Sequence, residues 1–144
     1  MSIKQISVFL ENKPGTLDKL MALMAGSNID LRALSLAETK DFGIARMIVD
    51  DAYEAVNVLR NADFIANISH VLAFAVPDEP GGLNKLLNVF NVANVNIVYM
   101  YSCLGSSDPS KAYMLFRVTD TKASEPALVA QGLRPLTQEE ITAI

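Results

Sequence analysis

Apolar residues alternate near the start of the chain: Ile6, Val8 and Leu10 share one face of an extended segment. A Pro14–Gly15 turn follows, and then Leu17, Leu20, Met21 and Met24 take the i, i+3, i+4, i+7 spacing of a helix with one buried stripe. Sixty-six positions on, the pattern returns: Leu72, Phe74 and Val76 alternate, Pro80–Gly81 make the turn, and Leu83, Leu86, Leu87 and Phe90 repeat the stripe. Gly26 is expected to cap the first helix at its C-terminus, a task that falls to Asn91 or Asn94 in the second copy.

The parallel continues. Second strands are predicted over "NIDLRALSLA" (28–37) and "NVNIVYMYSC" (94–103), and third strands over "FGIARMIV" (42–49) and "KAYMLFRV" (111–118). Between the latter pair the spacing has grown to 69, because "LGSSDPS" (104–110) adds three residues; this polar loop is expected to be mobile. Asp51 and Glu54 have capping-box spacing ahead of a helix with Ala55, Val56 and Leu59 inside. In the second copy Asp120 or Thr121 would cap, and Pro126 stands where only a first turn tolerates it. "FIANIS" (64–69) and "LRPL" (133–136) are expected as closing strands, with Thr137 and Glu140 capping a last helical turn.

Each half therefore reads β-α-β-β-α-β. The expected fold class is α+β: two ferredoxin-like units in tandem, residues 1–69 and 70–144, with antiparallel sheets and helices on one face. His70 and Val71 stand where one unit runs into the next, with almost no linker. Arg46 and Arg117 share the sheet face away from the helices with Ile44, Ile48, Tyr113 and Leu115. That face is too apolar to be left wet, so another sheet should cover it, and a homodimer is expected. Tyr99, Met100 and Tyr101 read as strand residues divided between the two faces.

Composition narrows the chemistry. The 144 residues are 51% hydrophobic, enough for a real core, and 19% charged, below the average of about 25%. A formal charge of −4 and third strands without a basic–aromatic pattern argue against nucleic-acid binding. Cys103 is the only cysteine, which suits a reducing cytoplasm; Met1–Ile3 lead straight into a strand pattern, and no apolar run approaches a membrane span. With His70 the only histidine, no His/Cys metal cluster is expected. No phosphate-binding glycine motif is present, and Asp50–Asp51 and Glu139–Glu140 read as helix caps. Neither catalysis nor a cofactor is expected.

The duplicated N/D-x-P-G-x-L corner, the N-[IV]-[DN]-[LI] opening of each second strand and "TKDFGIARMIVDD" (39–51) together resemble tandem ACT domains over essentially the whole chain. The resemblance implies a non-catalytic regulatory or sensor protein that binds free amino acids at interfaces between ACT units. It also implies the contacts: Asn12, Gly15, Thr16 and Leu17 with Asp30 for one site, and Asp78, Gly81, Gly82 and Leu83 with Asn96 for the other. The residue types suit that use. A helix N-terminus attracts a carboxylate, the glycines let a ligand approach the backbone, Asn12 both donates and accepts, and Asp30 or Asp78 can accept from an ammonium. The second corner is more acidic, with Asp78–Glu79 in place of Asn12–Lys13, so the first is expected to be the better site. The alternative role is the regulatory subunit of a multi-subunit amino-acid biosynthetic enzyme.

Overall fold

The computed structural model describes residues 2–144. Two compact units divide the chain, one of Lys4–Ser69 and one of His70–Ile144 joined by Ile3. The first runs β1 (Ile3–Glu11), α1 (Thr16–Gly26), β2 (Leu31–Glu38), β3 (Phe42–Val49), α2 (Ala52–Asn61) and the opening residues of β4 (Ile65–Pro77). Its strands lie in the order β2-β3-β1-β4. Antiparallel registers such as Val8↔Ala45 and Leu34↔Met47 set Ile6, Val8, Leu10, Met47 and Val49 on one face, where Leu20 and Met24 of α1 and Val56 and Leu59 of α2 close the core. The predicted helical stripe and strand alternation are thus the two sides of one apolar layer.

The second unit continues with the rest of β4, α3 (Gly82–Val92), β5 (Ile97–Ser102), β6 (Lys111–Val118), α4 (Thr121–Ala130) and α5 (Gln138–Thr142), in sheet order β4-β6-β5. Leu72↔Phe116 and Met100↔Phe116 fix its register. Phe74, Phe90 and Phe116 meet at its centre, with ring centroids 4.9–6.1 Å apart and the Phe74–Phe90 pair edge-to-face. Both units are α+β, as the pattern of periods requires.

Several local details differ from expectation. α1 includes Gly26, and the residue that turns left-handed after it is Asn28, φ 56°; Asn94 does the same after α3, and Asp63 and Gly132 follow α2 and α4. Asn and Asp reach this region because short polar side chains bond locally. Asp51 and Asp120 cap α2 and α4 through Glu54 N–H (3.0 Å) and Ala123 N–H (3.1 Å), and Thr137 with Glu140 forms the reciprocal cap of α5. Pro126 lies inside α4 rather than in its first turn; it and Lys122, whose carbonyl loses its helical partner, are exposed, which leaves that carbonyl open to solvent. Residues 133–136 are not a strand. Pro135 has no N–H to donate, and Leu136 N–H to the Ala73 carbonyl (2.7 Å) is the contact that anchors the segment.

On the face away from the helices, Ile48 and Leu115 are fully buried, and Arg117 donates to the His70 carbonyl at 3.1 Å. Tyr99 and Tyr101 stack there, 6.4 Å apart, while Met100 packs into the core. No described helix is long and apolar enough to cross a membrane.

Candidate functional site

Both corners turn on a left-handed glycine. Gly15 (φ 89°) and Gly81 (φ 84°) are the N-caps of α1 and α3, and any other residue there would cost about 1–2 kcal/mol. Neither helix receives a side-chain cap; the start of α1 presents its positive end, whereas in α3 the Gly82 N–H donates to the Glu79 carbonyl at 3.0 Å.

At the first corner, Thr16 Oγ1 lies 2.9 Å from the Glu11 carbonyl and 3.1 Å from that of Lys13, which locks the turn. Lys13 Nζ is 2.8 Å from Glu11 Oε2; that hydrogen bond, with the ammonium charge, holds the Glu11 carboxyl below the usual range. Asn12 donates to Glu38 Oε2 at 3.4 Å. These groups surround a cavity of about 290 Å³ lined by Leu10, Asn12, Gly15, Thr16, Leu17, Leu36 and Glu38, with Gly43 on β3 contributing no side chain. Four sequence-predicted residues, Asn12, Gly15, Thr16 and Leu17, are therefore brought together. A wider cleft of about 580 Å³ flanks the same turn toward Phe9, Phe42, Phe64 and Ile65.

Asp30 is elsewhere. β1 and β2 both run antiparallel to β3, so they point the same way, and the corner at the end of β1 meets the end of β2 rather than its start. At about 3.3 Å per residue, the eight residues of β2 hold Asp30 roughly 26 Å from the corner of its own unit. There it lines a separate acidic hollow with Asn28, Asp50, Asp51 and Glu54, 3.6 Å from the Arg32 guanidinium. Arg32 makes a two-pronged bond to Asp50 (2.8 and 3.1 Å), which draws the Asp50 carboxyl below its ordinary value. Among the described residues no group of His, Cys, Asp and Glu is placed to hold a metal ion. The acid that does reach the corner is Glu38, which sequence reasoning missed. Its signal lies in parity: Leu36 and Glu38 share the core face with Leu34, opposite Ala45 and Gly43.

The second corner groups Asp78, Gly81, Gly82 and Leu83, with its backbone closely packed. A Cβ on Gly82 would stand 2.1 Å from the Pro77 carbonyl oxygen, so its glycine is demanded by packing. Asp78 N–H donates to Ser110 (2.8 Å), tying the corner to the inserted loop. That loop, expected to be mobile, is cross-braced: the Asp108 carboxylate accepts from the Ser110 N–H (2.9 Å) and hydroxyl (2.6 Å), which lowers its pKa, and Ser106 reaches the Lys111 carbonyl at 3.0 Å. Asn96, like Asp30, precedes its strand at the far end and bonds Thr119 Oγ1 at 3.0 Å. Cys103 is partly buried, and burial pushes its thiol up to about 11, which leaves it inert as a nucleophile at neutral pH.

Fold and corner together define a duplicated ferredoxin-like module with a ligand-sized cavity beside one turn. The family described as "ACT domain pair" matches residues 1–144, and the chain belongs to it. A crystal structure of a protein from Bacteroides thetaiotaomicron is similar at 34% identity, covering 100% of this chain and 98% of that one, with a TM-score of 0.90. The regulatory subunits of aspartate kinase from Thermus thermophilus (ligand-free form; 16% identity, 90% of each chain, TM-score 0.65) and Thermus flavus (14%, 88% and 90%, TM-score 0.59) share the fold. A search of curated proteins finds no match.

Proposed function

We propose that this ACT pair is a non-catalytic, cytoplasmic regulatory protein that binds one free α-amino acid at its first corner. The cavity lined by the uncapped start of α1 and by Glu38 carries this reading: it offers both charges of an amino acid a partner. The carboxylate meets the N–H groups of Thr16 and Leu17, and the ammonium meets Glu38 and the Asn12 carbonyl oxygen. Each charge-assisted bond contributes about 1.5–3 kcal/mol, and three or four of them, less ordering costs, correspond to micromolar affinity. We assign the second corner a structural role, because the Gly82–Pro77 contact accounts for its extra glycine. Binding then favours one state of the protein, which a partner reads.

Thermal shift against the proteinogenic amino acids tests this. A ligand at 100 times its Kd adds about 2.7 kcal/mol, or about 5–10 °C for a chain of this size. Asn12→Ala and Glu38→Gln should remove the shift without lowering the ligand-free melting temperature. A shift that survives both changes places the site elsewhere, and a screen without any shift removes the sensor reading.

The expected homodimer, and a separate biosynthetic enzyme for which this chain would be the regulatory subunit, belong to the same proposal. Phe9, Phe42 and Ile65 support a protein partner: they are large, apolar and exposed on neighbouring strands. Sedimentation should give the mass of two chains; a single-chain mass with and without ligand would count against the dimer.

A further inference from the structure

We infer that the first-repeat cavity selects an α-amino acid with an aliphatic side chain and turns away acidic ones; this rests on the site proposed above. Its inner wall is Leu10, Leu17 and Leu36. Leu36 is 52% exposed although it points to the core face, so it offers apolar surface that a ligand side chain can cover. Gly43 sits beneath this wall. A Cβ there would meet Leu36 Cδ1 at 3.4 Å and Leu10 Cβ at 3.9 Å, so the missing methyl is floor space between two leucines. The volume, about 290 Å³, is at the small end of ligand pockets, a size for one amino acid.

Charge sharpens the choice. Lys13 and Glu11 neutralise one another at 2.8 Å, which leaves Glu38 and Asp18 as the uncompensated charges of the lining. A second carboxylate on the ligand would be repelled by both. The protein's own second repeat is an internal control. Ser102 occupies the place of Leu36, Leu104 that of Glu38 and Ala112 that of Gly43. The registers agree, since Leu36↔Ala45 and Ser102↔Met114 are the same pair one repeat apart. The second corner keeps Val76 and Leu83 at the places of Leu10 and Leu17, but it lacks the exposed leucine, the acid and the glycine together, as expected if these three positions serve one ligand.

Isothermal titration on the intact protein with leucine, isoleucine, valine, methionine, alanine, aspartate, glutamate and lysine tests the inference. At least one of the first four should bind tenfold or more tighter than alanine, with no detectable aspartate or glutamate binding. Gly43→Ala fits without a clash, so it should fold; it should weaken the best aliphatic ligand about tenfold and alanine less than twofold. Leu36→Ser, at an exposed position, should do the same by removing the wall. Aspartate, glutamate or lysine binding as tightly as the best aliphatic ligand would overturn the inference and leave the site standing. So would variants that weaken the aliphatic ligand and alanine equally, or leave both unchanged. A panel without any binder overturns inference and site alike.

Discussion

Gly82→Ala should destabilise the protein by at least about 3 kcal/mol, read as a fall in the urea midpoint at unchanged slope. The reason is geometric. A methyl carbon 2.1 Å from the Pro77 carbonyl oxygen is well inside van der Waals contact, and the obstacle is backbone that cannot rotate away. Either the start of α3 or the end of β4 must move, and β4 is held by its register with β6 from Leu72 to Pro77. Gly15→Ala provides the contrast. A Cβ there meets nothing within 4 Å, so only the left-handed φ is penalised, about 1–2 kcal/mol. Equal losses for the two variants would mean that the close approach at Gly82 is misplaced.

Phe116→Ala should cost about 3–5 kcal/mol, the range for emptying a buried aromatic site. Phe116 is fully buried, lies 4.9 Å from the Phe90 ring and 6.1 Å from that of Phe74, and sits on the central strand of its unit opposite both Leu72 and Met100. Few neighbours can collapse into the space, because the sheet fixes two sides of it. A loss below about 2 kcal/mol would show that the three rings do not form one packed cluster. Near-ultraviolet circular dichroism should report their disordering independently.

The repeat was legible because burial imposes period on sequence: alternation at Ile6, Val8, Leu10 and the stripe at Leu17, Leu20, Met24 both survive in the core. The four residues of the first corner were legible for the same reason, being local to one turn. Asp30 was assigned to that turn by a resemblance, across an interface between units; within its own unit the parallel course of β1 and β2, set by long-range pairing with β3, brings Glu38 to the turn. Gly26 was mistaken for a helix stop because glycine favours that role in general, whereas Asn28 and Asn94 perform it two residues later in both copies. The glycine of Gly82 could not be interpreted at all without knowing which carbonyl lies above it. The segment 133–136 carries strand-like apolar residues, but Pro135 removes a donor where a ladder would need one.

β4 carries one further implication. It runs unbroken from Ile65 to Pro77, with Ala66 and Ile68 in contact with the core of the first repeat and Leu72, Phe74 and Val76 in that of the second, all at even positions. Within either repeat, a one-residue slip of β4 would turn its set outward, since side chains alternate along a strand. Each stretch of β4 therefore tolerates register changes only in steps of two, while a loop such as 104–110 has absorbed three extra residues with the registers on either side intact. Evolution of this duplicated chain is free to lengthen its loops, but each stretch of its shared strand has a parity to keep.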